Sequence, residues 1–354
     1  MKSDAEDPFD ALEAALEGRA DRASGLVGIA ELAARGKATV RAFELARAAI
    51  AQSGGDPVVV ARARAVLGGL IPGYHVPMMN DTRRNAAWDK ALRAAIKPGM
   101  EVFEIGTGAG MLALMAARAG AAKVVTCERN PLVARLAREL VAHNGYAGRI
   151  EVIEDKSQNV RLPRRADLLF CDIFADDLFD FDPLLLIRDA RERLLVPGAP
   201  VVPNAVSLHV ALAHWNDYGR ALHLETAAGF DMAAVADIAA ARKGVPVGDP
   251  GLTTLSAAQT LFRFDLQQYG PALAGTGSAT CTAARAGTIN GIARWIRLDL
   301  GGNVVLEAAP EPGARYFSNI IFIPLPAPRL VAAGESLRVE SRYDGMHIST
   351  WLAG

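Results

Sequence analysis

Few features of this 354-residue chain favour nucleic acid, a membrane or a disulfide framework. Aromatic residues amount to 6%, too few for a platform of stacked bases. Lysine and arginine number 38 against 39 aspartates and glutamates, and the formal net charge of −1 leaves no overall basic surplus to attract phosphates. The three cysteines, Cys127, Cys171 and Cys281, are odd in number and far apart; they supply neither a disulfide set nor a paired-thiol metal site, and read as buried thiols. No metal is expected. No stretch reaches the ~18–20 uninterrupted apolar residues of a membrane span. The best, from Pro200 to Trp215, is broken by two prolines, Asn204, Ser207 and two histidines. The first residues, Met1-Lys2-Ser3-Asp4-Ala5-Glu6-Asp7-Pro8, are acidic and lack the apolar segment of an export signal, so a cytoplasmic location is expected. What remains, 51% apolar and 22% charged, is the composition of a globular protein of two or three domains.

The punctuation divides the chain into three segments, expected at 1–72, 73–203 and 204–354. From Asp7 to Leu70 it predicts three or four short helices. Asp7-Pro8 opens the first, with Leu12 and Leu16 on one face and Gly18 as its stop; others run near Leu26 to Ala34, Thr39 to Gln52, and after Gly54-Gly55-Asp56-Pro57. From about Met100, short apolar strands alternate with helices: Glu101 to Ile105, Lys123 to Cys127, Ile150 to Glu154 and Ala166 to Asp172. That alternation predicts an α/β class with a doubly wound, Rossmann-like parallel sheet and its ligand at the carboxyl ends of the strands. After Pro203 the pattern becomes antiparallel sheet or barrel. Ile296, Leu298 and Leu300 alternate with Arg297 and Asp299, Leu337 and Val339 with Arg338 and Glu340, and Asp344-Gly345 marks a hairpin. One interruption, Asp231 to Ala241, reads as a helix with Met232, Val235 and Ile238 on one side, suited either to its own domain or to a partner subunit.

A glycine-rich turn between strand and helix lets backbone approach a ligand, and the helix start offers free N–H groups. A dinucleotide fingerprint would need glycine at 106, 108 and 111, but Met111 stands at the last of these. The run from Glu104 through Gly106 and Gly108 to Gly110 instead reads ExGxGxG, the form found in S-adenosylmethionine (SAM) methyltransferases. Glu128, with Arg129 beside it, ends the second strand, where a carboxylate can accept both hydroxyls of a ribose.

The stretch from Tyr74 to Val202 resembles the catalytic core of the protein arginine methyltransferase family, in particular bacterial members with an N-terminal helical segment. Its landmarks stand in order: His75-Val76-Pro77-Met78-Met79-Asn80-Asp81-Thr82-Arg83-Arg84-Asn85, the glycine loop, Cys127-Glu128-Arg129, His143-Asn144-Gly145, Lys156-Ser157-Gln158 and Leu169-Phe170-Cys171-Asp172. The resemblance implies SAM as cofactor, S-adenosylhomocysteine as product, and a β-barrel-like remainder with a dimerisation arm near 229–245 opened by Gly229-Phe230-Asp231. It implies that Arg84 pairs with the cofactor's carboxylate, that His75 and Met78 fold over its methionine end, and that Glu128 holds the ribose. Ser157 and Gln158 fall at the adenine edge, where the family usually has an acid.

For the acceptor, the family places two glutamates on a hairpin after the fourth strand, and a pair of carboxylates would bind a guanidinium and localise a lone pair on its nitrogen. Here Asp172 matches the first and Phe181 falls at the second, flanked by Asp180 and Asp182, with Asp182 favoured because Pro183 follows it. Five aspartates between Asp172 and Asp182 are expected to keep the site acidic. Tyr316 and Phe317 stand where relatives carry histidine and tryptophan. The expectation is methylation of the guanidino group of arginine in a protein or peptide, or of free arginine, by a homodimer. Another small amine acceptor, or a SAM-binding scaffold without turnover, remains open.

Overall fold

The computed structural model describes residues 7–178, 182–222, 224, 226–236, 241–268, 274–311, 316, 318–345 and 347–353. The N-terminal segment is a small helical bundle of α1 (Asp10–Ala14), α2 (Arg22–Arg35), α3 (Thr39–Gln52) and α4 (Pro57–Gly68). Asp56 caps α4 by accepting the Val58 and Val59 amides, with Pro57 in its first turn. Its core is rich in alanine, with Ala30, Ala33, Ala42, Ala46, Ala49 and Ala63 between Leu26, Ile29, Leu45 and Val59. Small side chains let the helices approach closely and lose no rotamer freedom on burial. Leu12 and Leu16, expected on one face of a single helix, are separated because α1 ends at Ala14: Leu16 packs on the bundle and Leu12 is exposed.

Next come α5 (His75–Asn80) and α6 (Thr82–Ala95), the second capped by Asp81, whose carboxylate accepts the Arg84 amide. The alternating units follow: β1 (Glu101–Ile105), α7 (Met111–Arg118), β2 (Lys123–Cys127), α8 (Pro131–His143), β3 (Ile150–Ile153), a 3₁₀ turn at Ser157–Asn159, β4 (Leu168–Cys171), α9 (Pro183–Arg193) and β5 (Val201–Val202). All strand pairs are parallel, in the order β3-β2-β1-β4-β5. The chain therefore winds outward from β1 to β3 and returns to β4 on the other side. This reversal between β1 and β4 opens a crevice at their carboxyl ends, as the sequence predicts. Residues 102–105 are buried without alternation, as in a strand covered on both faces.

The remainder is largely antiparallel. Its elements are β6 (Ala205–Trp215), α10 (Tyr218–Leu222), β7 (Thr226–Ala227), β8 (Phe230–Asp231), α11 (Ala233–Ala236), β9 (Lys243–Pro246), β10 (Leu252–Thr254), β11 (Gln259–Asp265), β12 (Gly275–Thr282), β13 (Gly287–Gly301), β14 (Val304–Glu307), β15 (Asn319–Val331), β16 (Ser336–Tyr343) and β17 (Ile348–Leu352). One sheet runs β10-β6-β13-β15-β9, with β11 also on β6 and β14 on β13; a second runs β12-β16-β17. The alternation expected around Ile296 to Leu300 and Leu337 to Glu340 lies on β13 and β16. Asp344 closes the β16–β17 hairpin by accepting the His347 amide. The expected helix from Asp231 starts two residues later than its pattern suggested. Phe230 and Asp231 form a strand, because Ala228 and Gly229, both at positive φ, turn the chain back onto β7 first. The helix then covers Ala233–Ala236, and Ile238 lies outside the described residues.

The apolar core of the parallel sheet continues into the antiparallel part through Val206, Leu208, Val210 and Ile296, with Trp88 and Leu92 of α6 in the same cluster. No helix among the described residues is long and apolar enough to cross a membrane.

Candidate active site

A cleft of about 330 Å³ opens at the carboxyl ends of β1, β2 and β4. Its floor is the glycine loop. The Gly106 and Thr107 amides both donate to the Cys127 carbonyl at 3.0 Å, folding the loop against the end of β2. Gly106 has φ +84°, and a Cβ there would stand 2.7 Å from Ile173 Cγ2, so only glycine satisfies both backbone and space. Glu128 is fixed at both oxygens: Oε2 accepts the Gly108 amide at 3.1 Å and Oε1 the Asn130 amide at 2.9 Å. Asn130 in turn caps α8. His75, buried and stacked on Tyr74 at 4.5 Å, closes one side; burial pushes its imidazole below the ordinary range.

Eight of the residues expected at the cofactor line this cleft: His75, Met78, Gly106, Gly108, Glu128, Arg129, Ser157 and Gln158. Asp172 and Asp182, expected at the acceptor, line it too. Arg84, Glu104, Gly110 and Tyr316 are not among its lining residues. Gly110, at φ +84°, is the residue from which α7 starts. Glu104 is fully buried, its Oε2 accepting the Thr126 hydroxyl at 2.6 Å and its Oε1 without a partner. Burial above all, with Glu128 and Asp172 nearby, pushes this carboxyl up to about 8.

Arg84 and Asp172 meet each other. The guanidinium donates from Nε to Asp172 Oδ2 at 2.7 Å, Nη2 pairs with the same oxygen, and Nη1 reaches Asn85 Oδ1 at 3.1 Å. The group expected to take a ligand carboxylate thus already balances the carboxylate expected to take a ligand cation. Asp182 stands exposed at the start of α9 at φ +51°, with Pro183 next to it and no capping bond from its side chain. Asp180 lies outside the described residues.

The run of aspartates does not act as one acidic patch. Asp176 accepts the Ser318 hydroxyl, the Asn319 amide at 2.9 Å and the Asn319 side chain at 2.7 Å. Asp177 is buried between Arg294 and Arg242. Both bind the segment after β4 to the antiparallel part, and the buried Asp177 needs its paired donors. Tyr316 packs where the parallel and antiparallel cores meet; burial first, then the neighbouring Asp172, raises its phenol.

The motif did not single out Tyr74, Asp155, Ile173 or Leu186, which also line the cleft. Asp155 follows β3, so the carboxyl-end rule alone could have flagged it. Cys127 reaches the cleft as well, but burial pushes its thiol up to about 12 and keeps it protonated. Among the described residues no group of three or more His, Cys, Asp or Glu could hold a metal.

The model of the ribosomal protein L11 methyltransferase (PrmA) family matches residues 89–194, which supply the cleft's lining apart from Tyr74, His75 and Met78. An arginine N(omega)-methyltransferase of Streptomyces achromogenes subsp. streptozoticus is 36% identical over 278 residues, covering 75% of each chain. The chain belongs to the arginine N-methyltransferase family. A second member, protein arginine N-methyltransferase 7 of Aedes aegypti, is 33% identical over 143 residues, 37% of this chain and 21% of that one. The fold of the family recurs in solved structures. The Trypanosoma brucei PRMT1 enzyme-prozyme complex with AdoHcy gives a TM-score of 0.70 at 22% identity over 76% of this chain and 87% of that one. Arabidopsis thaliana protein arginine methyltransferase 10 gives 0.63 at 20% over 75% and 86%.

Proposed function

We propose that this protein transfers a methyl group from SAM to a guanidino nitrogen of arginine, free or within a peptide or protein. The observation that carries the reading is the shared cleft: the glycine loop and Glu128 open into the same space as Asp172 and Asp182. SAM supplies an activated methyl on a sulfonium. The chain positions that methyl and its acceptor for in-line displacement. Glu128, held by two backbone amides, presents a fixed carboxylate to the ribose hydroxyls, and Gly106 and Gly108 bring backbone close enough for the methionine portion. Arg84 offers its cation to the cofactor's carboxylate. As it turns from Asp172 toward that carboxylate, Asp172 becomes available to accept N–H bonds from the acceptor guanidinium. Asp182, exposed at the start of α9 and lining the same cleft, would complete the pair. Two such carboxylates hold the guanidinium plane, localise a lone pair on the reacting nitrogen and accept the departing proton.

Incubation with labelled SAM and either arginine-rich peptides or free arginine, with methylarginines read by mass spectrometry, tests the reading. Methylarginine is expected in one arm; methylation of another amine alone, or cofactor binding with no turnover, would overturn it. Asp172→Asn should lower kcat by about 10²–10³-fold, the scale of losing one oriented polar group in a reacting centre, with S-adenosylhomocysteine still bound.

The same reading extends to assembly as a homodimer. Support comes from Phe230, 70% exposed at the hairpin of β7 and β8. A bare phenyl at a hairpin end suits burial against a second copy. Light scattering at micromolar concentration should give twice the chain mass, and Phe230→Asp should return it to the monomer.

A further inference from the structure

Behind the glycine loop lies a chain of three buried side chains from three different elements. Glu104 lies in β1, Thr126 in β2, and Thr107 sits in the loop itself; all three are 4% exposed or less. Thr126 Oγ1 donates to Glu104 Oε2 at 2.6 Å, which uses its single proton. The 2.5 Å contact between the two threonine hydroxyls is then made by Thr107 donating to Thr126. None of the three lines the cleft, yet Gly106 and Gly108, on either side of Thr107, both do.

We propose that Glu104 and Thr126 are positioning residues: through the Thr107 hydroxyl they hold the glycine loop in the shape that receives the cofactor. The idea rests on the cofactor reading above. The loop's backbone needs the support. Its glycines at positive φ have more backbone freedom than other residues; its amides are held by the Cys127 carbonyl, by Glu128 at Gly108 and by the Thr107 carbonyl at Gly110, and the Thr107 hydroxyl adds a side-chain anchor to the interior. Thr107 is the one side chain between Gly106 and Gly108, and its hydroxyl ties that position to the second and first strands. Threonine is stiff about its first side-chain torsion, so anchoring the hydroxyl anchors the backbone from which it springs. A valine at 126 would fill the same volume but leave the Thr107 hydroxyl and Glu104 Oε2 buried without partners.

Thr126→Val and Thr126→Ser test this together. At saturating acceptor, Thr126→Val should raise KM for SAM and weaken S-adenosylhomocysteine binding by about tenfold, the size of one or two lost buried hydrogen bonds, with kcat little changed. Thr126→Ser keeps the hydroxyl and should restore binding to near the parent value. Parent-like binding by Thr126→Val would overturn the proposal, as would a serine variant as weak as the valine one, since that would assign the effect to packing. Hydrogen exchange of the amides at 106–110 in the ligand-free protein gives an independent readout: faster exchange in the valine variant alone supports the relay, and equal exchange overturns it. If the parent binds neither SAM nor S-adenosylhomocysteine, the cofactor reading fails, while the exchange comparison still decides whether the relay holds the loop.

Discussion

Single carboxylates in this protein have fates that their shared chemistry does not reveal. Glu128 is held by backbone amides, Asp172 by a guanidinium, Asp176 by a turn of the antiparallel part, and Glu104 by one hydroxyl in the buried interior. For Glu104 the environment has a thermodynamic consequence. Its folded value of about 8 lies above the ordinary 4.5, so the folded protein holds a proton there that the unfolded chain gives up. The associated stability is complete below about pH 4.5 and is lost as pH rises through about 8. Glu104→Gln cannot ionise, and its melting temperature should therefore fall less than the parent's between pH 6 and pH 9, as scanning calorimetry would measure. Parallel profiles would show that Glu104 does not titrate in this window. The residue types at these positions were legible from the motif, down to the glycines and Glu128. Their partners were not: Arg84 and Asp172 are 88 positions apart, and both were matched to ligand groups rather than to each other.

At the level of elements, boundaries marked by caps and glycines were readable. The α4 start falls where Asp56-Pro57 places it. Where a turn competed with a helical pattern, as at Ala228-Gly229 before α11, apolar periodicity alone started the helix too early. The segment after β4 shows the same limit on the functional side. Its aspartates look like one acidic site in sequence, but the donors that claim Asp176 and Asp177 come from residues more than sixty positions later. Those bonds make the segment a clamp between the parallel sheet and β15. Asp176→Ala would leave the Ser318 hydroxyl and the Asn319 amide unpaired, a cost of about 1–3 kcal/mol for each group that stays buried. Because Asp172 and Asp182 flank this clamp while Glu128 and the glycine loop lie on other elements, the expected signature is divided. KM for the acceptor should rise severalfold, with S-adenosylhomocysteine affinity, measured by calorimetry, close to the parent's.

For the whole molecule, α8 is the member that ties the N-terminal bundle to the methyltransferase sheet. Leu132 is 1% exposed and belongs to the bundle's core, Leu136 packs beside it, and Val141 farther along belongs to the core of the sheet. Ion pairs of Arg47 with Glu139 and of Arg135 with Glu44 border the contact. Such half-exposed pairs contribute only about 0–1 kcal/mol each, whereas burying one leucine contributes roughly 1.5–3 kcal/mol, so the apolar contact dominates. The bundle is then part of the folded body, and the effect of a mutation at 132 should change sign with the bundle's presence. In the full chain, Leu132→Ser should lower the melting temperature, since it puts a hydroxyl into a closed apolar site. In a chain beginning at residue 73 the same leucine would face water, and Leu132→Ser should there reduce aggregation on size-exclusion chromatography. A serine variant that is harmful or neutral in both lengths would mean that the bundle does not cover α8 in solution.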